Sequence, residues 1–399
     1  MKQKRLLLLM ALFPAMMAWA AVGDEFAADG LKYKVTSESP KTVELTRFDS
    51  ERPTGALTIP TTVNGYTVTS IGTYAFNACQ GMTSVEIPNS VTSIGQNVFR
   101  YCFGLTSVNI GNGVTSIGDY AFASCNHLKA VTIPSCVTSI GNGAFVGCSA
   151  LTSMTIPKNV TSLGEGVFSS CENLKTVYIA EGVTSSLDET FFSKCANLES
   201  ITVAAGNEHY KSVDGVLFSK DMTALVKYPS NNKLTSYTIP SSVTTVCGSA
   251  FDVCKVLKAV TIPASVTNIV HHAFTVCTAL ESFTVAAGNK YYKSVDGVLF
   301  DKGMTTLIMY PENKKLKSYT IPSGVTTIKG AFIRCPGLTS VTIPASVTRI
   351  EDLAFASCAD LTTVSIAKGS KLKSVGRDPF FHCEKLAPVT FPPGVEEVR

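Results

Sequence analysis

Residues 105–125 read LTSVNIGNGVTSIGDYAFASC and contain the unit that decides the fold. In its first third, Val108 and Ile110 alternate with polar residues, which is typical of a short strand with one buried face. After a turn come a second apolar pair, Val114 and Ile117, and the segment Ala-Phe-x-x-Cys. A unit this short cannot bury its apolar face alone, so we expect it to stack on copies of itself.

The unit recurs along the chain with a period close to 23 residues, and the cysteines show this most clearly. A phenylalanine stands three residues before each of eleven cysteines, and a leucine or, once, a methionine stands three residues after. These cysteines are Cys79, Cys102, Cys125, Cys148, Cys171, Cys195, Cys254, Cys277, Cys335, Cys358 and Cys383. The repeat predicts a β-rich solenoid with short parallel strands, which is one elongated domain and not several globular ones.

Two sequence elements give the repeat a specific resemblance. The Ile-Pro-x-Ser-Val-Thr-x-Ile-Gly and Ala-Phe-x-x-Cys elements resemble those of the BspA-like leucine-rich repeat proteins of bacterial surfaces, over about residues 55–399. The resemblance implies a right-handed leucine-rich repeat superhelix. It also implies an adhesin role, with extracellular-matrix or plasma glycoproteins, or other cells, as partners.

The two ends of the chain depart from the repeat. Residues 1–20 have a basic start, an apolar run and the small-x-small triplet that ends at Ala20, which predict a cleaved signal peptide and a secreted or cell-surface protein. Residues 21–54 predict a β-hairpin that caps the first rung. The chain stops midway through a unit at Arg399, so either its last charges protect that edge or the reading frame is truncated.

Two longer units interrupt the period, at residues 203–246 and 285–328, and they are near copies offset by 82 positions. The dipeptides Asp214-Gly215 and Asp296-Gly297 predict hairpin turns inside them. Together with these units we expect 14 to 16 rungs, roughly 70 Å in length at ~4.8 Å per rung.

Composition excludes several classes of function. Of the 399 residues 45% are hydrophobic and only 16% are charged, against roughly 25% in a typical soluble protein. The formal net charge is +4, and removing the three basic residues Lys2, Lys4 and Arg5 leaves +1. We therefore expect neither a nucleic-acid-binding protein nor, after the leader, a transmembrane segment.

The cysteine column suggests a ladder of buried thiols. Column neighbours ~4.8 Å apart with parallel side chains hold their Cβ atoms farther apart than a disulfide prefers. A uniform column also lacks the Cys-x-x-Cys pair of a zinc site. The five histidines are expected on the surface or in turns, and no nucleophile elbow, metalloprotease motif or phosphate loop is present. The sequence predicts no enzyme, no metal and no cofactor.

The outward strand position between Val and Ile offers the best candidate binding surface. Thr suits an exposed strand, and hydroxyls stacked in a column can hydrogen-bond one another, so a purely structural explanation remains open. The alternative is a flat, weakly charged docking face. Its candidate residues are Glu86, Asn109, Thr132, Thr155, Tyr178 and Thr202, and its least repetitive stretch runs from Glu86 to Tyr178.

Tyrosines of the longer units form a second candidate surface. Tyr210, Tyr291 and Tyr292 are expected to stand outside the stack, whereas Tyr237 and Tyr319 occupy the Val position and are expected in the core. Aromatic residues are common anchors of protein interfaces. The sequence leaves three functions open: binding of extracellular proteins or glycoproteins, glycan binding, and an envelope spacer without a specific ligand.

Overall fold

A computed structural model describes residues 21–397, so the predicted signal peptide lies outside the described residues. This part of the chain contains 34 short strands and no helix, and therefore no helix that could cross a membrane. The strands build a parallel β-solenoid of about 15 turns, which confirms the predicted fold. The division into leader, cap and solenoid at residues 20 and 54 stays a prediction.

The N-terminal end is a hairpin, as predicted. Strands β1 (Glu25–Ala28), β2 (Leu31–Glu38) and β3 (Lys41–Phe48) are antiparallel, and β3 then pairs in parallel with β6 (Tyr66–Ile71) of the first rung. Alternate residues such as Tyr33 are fully buried, because one hairpin face covers the end of the apolar stack.

Most rungs contribute one strand to each of two faces, where strands of neighbouring rungs pair in parallel. We call the first the long-strand face; it contains β4 (Gly55–Thr58), β7 (Met82–Ile87), β9 (Ser107–Ile110), β11 (Ala130–Val131), β13 (Ser153–Ile156), β15 (Thr176–Ile179), β16 (Ser200–Val203), β20 (Ser236–Thr238), β22 (Ala259–Ile262), β24 (Ser282–Val285), β28 (Ser318–Thr320), β30 (Ser340–Ile343) and β32 (Thr363–Ile366). The second, the short-strand face, contains β5 (Thr62–Val63), β6, β8 (Ser93–Ile94), β10 (Ser116–Ile117), β12 (Ser139–Ile140), β14 (Ser162–Leu163), β21 (Thr245–Val246), β23 (Asn268–Ile269), β29 (Thr327–Ile328), β31 (Arg349–Ile350), β33 (Ser374–Val375) and β34 (Glu396–Glu397).

The Ala-Phe-x-x-Cys segments form a third side, which we call the turn ladder. Here backbone N–H groups donate to the next rung: Phe76 to the carbonyl of Val98 at 3.0 Å, and Phe99 to that of Ala121 at 2.7 Å. The residue before the cysteine adopts a left-handed conformation even where it is not glycine, as at Ser124, where φ is 59°. This turn lets a non-strand segment still hydrogen-bond from rung to rung.

The core consists of the predicted columns. Phenylalanine rings stack with centroids 5.3 to 5.8 Å apart from Phe76 through Phe168. Tyr228 and Tyr310 continue this column in the longer units, stacking on Phe251 at 5.1 Å and on Phe332 at 4.9 Å. Tyr237 and Tyr319 pack against the same core, as expected from their position in the sequence.

The cysteine column is a ladder of free thiols, and all its members but the half-buried Cys383 are buried. Eight of the eleven thiols donate to a phenylalanine carbonyl of the preceding rung, as Cys102 Sγ does to Phe76 at 3.2 Å and Cys148 Sγ to Phe122 at 3.1 Å. Burial raises the pKa of Cys79 to about 11 and that of Cys102 to about 12. Because the thiolate is the reactive form, these groups are protected chemically as well as sterically.

The longer units contain hairpins, as predicted. In the first, β17 (Tyr210–Val213), β18 (Val216–Ser219) and β19 (Ala224–Lys227) are antiparallel neighbours; in the second, β25 (Tyr292–Val295), β26 (Val298–Asp301) and β27 (Thr306–Met309) repeat the arrangement. Asp214 and Gly215 both have positive φ values, 51° and 77°, as a two-residue type I′ turn requires.

These units also interrupt the stack, and we call each of them a joint. The sheets of the long-strand face end at β16 and β24 and restart at β20 and β28. The apolar core correspondingly divides into three clusters, which meet at the joints. Side chains replace missing backbone partners there: the hydroxyls of Tyr210 and Tyr292 accept the N–H groups of Leu187 at 2.8 Å and Ile269 at 2.9 Å.

Candidate interaction surface

The outward column of the long-strand face follows from strand alternation. In β9 the side chains of Val108 and Ile110 are buried while those of Ser107 and Asn109 are exposed. The neighbouring strands lie in parallel register, which places Glu86 beside Asn109, and Tyr178 between Thr155 and Thr202. Equivalent residues of consecutive rungs therefore form one row, which we call the outward column.

All six predicted members of the outward column are exposed, and the structure divides them into two groups. Glu86, Asn109 and Thr132 line an open depression of about 580 Å³ together with Thr58 and Asn112. Strand pairing stops between β11 and β13 and resumes with the second group, Thr155, Tyr178 and Thr202. The ring of Tyr178, 39% exposed, lies between two threonines of that group.

The hydroxyl groups of the outward column have no hydrogen-bond partner within residues 21–397, unlike those of another threonine column. Along the short-strand face, Thr92 Oγ1 donates to the carbonyl of Thr69 at 3.1 Å, and Thr115 and Thr138 repeat this contact one and two rungs later. The hydroxyls of Thr155 and Thr202 make no such contact in the described chain. The expectation that stacked hydroxyls in the outward column bond one another is therefore wrong, because equivalent side chains of parallel strands stand ~4.8 Å apart, beyond hydrogen-bond distance.

The tyrosines of the longer units do not form one outer surface. The expectation that Tyr210 stands outside the stack is wrong: it is 9% exposed, and its hydroxyl donates to the carbonyl of Ser185 while accepting the N–H of Leu187. Tyr292 is half-buried and accepts the N–H of Ile269 in the same way. Tyr291 alone is open to solvent, at 52%. At each joint a side-chain hydroxyl replaces a backbone carbonyl as hydrogen-bond acceptor. Tyr210 and Tyr292 therefore point inward.

The outward column carries little charge and no group that suggests chemistry. Glu86 is the one charged member among its six candidates. Within the described part of the chain, no group of three or more His, Cys, Asp or Glu residues is placed to hold a metal ion. The five histidines are exposed, as expected. A surface of hydroxyl, amide and one phenol suits hydrogen bonding to a partner.

Sequence reasoning missed two residues of the depression. Thr58 pairs in register with Glu86, and Asn112 lies at the turn that follows β9. The signal for Thr58 is the triplet Thr58-Ile59-Pro60, which matches Glu86-Ile87-Pro88 one rung later. The first rung therefore belongs to the candidate surface.

Comparisons with known proteins agree with this architecture. The sequence profile described as BspA type leucine rich repeat region (6 copies) matches residues 48–148, 92–221, 227–301 and 309–399. A leucine-rich cell surface protein of Faecalibacterium prausnitzii is similar in structure, with a TM-score of 0.62 and 28% identity over 91% of this chain and 93% of that one.

Two further solved structures share the fold. The pneumococcal vaccine antigen PcpA has a TM-score of 0.62 and 21% identity over 94% of this chain and 93% of its own. A leucine-rich repeat protein of Eubacterium ventriosum has a TM-score of 0.56 and 23% identity over 94% and 98% of the two chains. No curated protein matches the sequence.

Proposed function

Because this chain belongs to the BspA-type leucine-rich repeat family, we propose that it is an exported, non-enzymatic adhesin that binds extracellular proteins or glycoproteins through its outward column. Export would follow cleavage of the leader near Ala20. The similarity to a bacterial leucine-rich cell surface protein supports a place on the cell surface.

The observation that carries the proposal is the contrast between the two threonine columns. A threonine whose hydroxyl satisfies a backbone carbonyl, such as Thr115, has a structural role. The outward hydroxyls of Thr155 and Thr202 satisfy nothing in residues 21–397, so they are available to a partner. Their rigid spacing lowers the entropy cost of binding, since few side chains must be ordered.

Tyr178 is the expected anchor of the partner. It is the one aromatic residue among the six candidates, and tyrosine is enriched among the residues that dominate interface energetics. The ring of Tyr178 has a threonine on each side, so it offers apolar contact area within a polar rim. A protein surface of complementary shape would bury this ring.

Surface plasmon resonance with the purified chain tests the proposal against a panel of immobilised matrix and plasma glycoproteins. We expect saturable binding to at least one of them, and a loss of about 10-fold or more in affinity for Tyr178→Ala. Phe381→Ala is the matched control, because Phe381 is also an exposed aromatic residue but lies on the turn ladder. Absence of binding, or equal loss in both variants, would contradict the proposal.

A further inference from the structure

Three exposed tyrosines lie on the turn ladder of the N-terminal rungs, away from the outward column. Tyr74 is 55% exposed, and Tyr101 and Tyr120 are each 37% exposed. The side chain of Arg100 lies between the last two rings. We call Tyr74, Arg100, Tyr101 and Tyr120 the tyrosine–arginine cluster.

The guanidinium of Arg100 is held in place from several sides. Its Cζ lies 4.6 Å from the ring centre of Tyr101 and 5.4 Å from that of Tyr120. Nη2 donates to the hydroxyl of Tyr101 at 2.8 Å, and Nη1 donates to Oδ1 of the buried Asn97 at 3.2 Å. Such a cation has lost its freedom before any ligand arrives, so binding need not order it again.

The ring of Tyr120 is fixed by a glycine of the following rung. A Cβ atom at Gly143 would lie 2.6 Å from Cε1 of Tyr120, so the ring occupies space that any other residue would fill. Gly143 also has a φ of +55°, which glycine adopts at little cost. Gly143 leaves room for this ring beside Arg100, so the ring helps to hold the cation in place.

The fixed cation has no internal counter-charge. Among the residues that the structure describes, no carboxylate forms an ion pair with Arg100, and Nη1 and Nη2 each keep a second N–H besides those given to Asn97 and Tyr101. Guanidinium groups prefer carboxylates, which they bind with two parallel hydrogen bonds. An external carboxylate would supply the missing partner.

The tyrosine faces define the rest of the ligand. Aromatic faces carry partial negative charge and attract the polarised C–H groups that a sugar ring presents on its apolar side. Arg100 covers one face of Tyr101 and one face of Tyr120, so the open ring of Tyr74, one rung or ~4.8 Å along the stack from Arg100, is the platform for a sugar. We propose that the tyrosine–arginine cluster binds a carboxylated sugar of an extracellular glycan, with Arg100 on the carboxylate and Tyr74 under the sugar.

Isothermal titration calorimetry measures the binding of 6′-sialyllactose, of lactose and of a glutamate-rich peptide to the full chain. Sialyllactose differs from lactose by one carboxylated sugar, and the peptide offers carboxylates without a sugar ring. We expect binding of sialyllactose only, weakened by added salt. Arg100→Gln should lower its affinity ~10-fold or more, and Arg100→Lys should recover only part of that loss because lysine lacks the planar fork.

Tyr178→Ala is the control for the other surface and should leave sialyllactose binding unchanged, so failure of either proposal is visible separately. Tyr74→Ala, checked for folding by thermal melting, should lower affinity by removing the sugar platform. Equal binding of lactose, binding of the peptide but not the sugar, unchanged affinity in Arg100→Gln, or no binding of sialyllactose would each overturn the proposal.

Discussion

At the scale of single residues, the cysteines have a role beyond filling space. In the first block the carbonyl of a column phenylalanine accepts two donors: that of Phe99 accepts the N–H of Cys102 at 3.2 Å and the thiol of Cys125 from the next rung at 3.2 Å. A small apolar residue would leave that second acceptor site empty in a dry core. The thiol therefore packs as a small apolar group and still donates to this acceptor.

Alkylation of the native protein should distinguish half-buried cysteines outside the column from buried cysteines within it. We expect iodoacetamide at pH 8 to modify Cys136 and Cys247 first, because both are half-buried and outside the column. Cys125 and Cys148 should react only after unfolding, since burial raises their pKa values well above that of a free thiol. Peptide mass spectrometry at successive times measures this, and early modification of Cys148 would contradict the buried ladder.

Left-handed residues on the turn ladder give a second residue-scale prediction. Val276, directly before Cys277, has a φ of 57°, which a β-branched residue adopts only with strain. The equivalent position before Cys148 holds Gly147, with a φ of 72°. Val276→Gly should stabilise the protein by about 1 kcal/mol. Gly147→Ala should destabilise it by a similar amount, and thermal melting of both variants checks the two signs.

At the scale of elements, the joints depend on side chains for bonds that backbone supplies elsewhere. Tyr292→Phe removes the hydroxyl that accepts the N–H of Ile269, which would leave a half-buried donor unpaired. We expect a loss of about 1–2 kcal/mol in unfolding free energy. The adjacent, exposed Tyr291→Phe should change stability little, so urea unfolding of this pair isolates the hydrogen bond.

The second joint also contains a buried carboxyl group. Glu312 Oε1 accepts the N–H of Cys277 at 3.1 Å, while Oε2 has no partner in the described chain. Burial raises the pKa of Glu312 to about 7, although Arg334 opposes the shift. Because its pKa is higher in the folded than in the unfolded chain, stability is greatest at acid pH and falls as pH rises from about 4.5 to about 7.

Glu312→Gln should abolish this pH dependence. The amide keeps an acceptor for Cys277 without a buried charge, so the variant should be more stable than the parent at pH 8, by roughly 2–3 kcal/mol. The two proteins should have similar stability at pH 4, where the parent carboxyl is protonated. Chemical unfolding at the two pH values measures the difference, and the exposed Glu172→Gln is the control.

At the scale of the whole molecule, the solenoid consists of three stacked blocks. Their apolar clusters meet at the joints, where strand ladders on both faces stop and restart. In a repeat protein stability is a sum of unit and interface terms, so a weak interface separates cooperative blocks. We expect urea unfolding in more than one step, with hydrogen exchange fastest near residues 203–215 and 285–297. A single transition seen by all probes would contradict this division.

The sequence predicted the stack well because every rung faces the same constraint. Phe76 and Phe99 stack as equivalent residues of adjacent rungs, so the period of the repeat alone identifies the core. The joints were harder, because Tyr210 solves a local hydrogen-bond problem that no repeat reveals. Tyr228 could have been found, since it stands 23 residues before Phe251. The tyrosine–arginine cluster joins residues of three rungs whose side-chain directions depend on left-handed turns, which the sequence pattern does not encode.

The constant register between rungs bears on how such a gene changes. Ser93 lies beside Ser116, and Ser116 lies beside Ser139, so each rung offers its neighbours the same edge. Excision of residues 105–127 would place Leu128 three residues after Cys102. The spacing of the cysteine and the leucine of the repeat would stay intact. Unequal recombination between repeats can therefore lengthen or shorten the molecule by whole turns while each junction remains native, whereas a frame-preserving loss of a few codons would distort the rung that contains it.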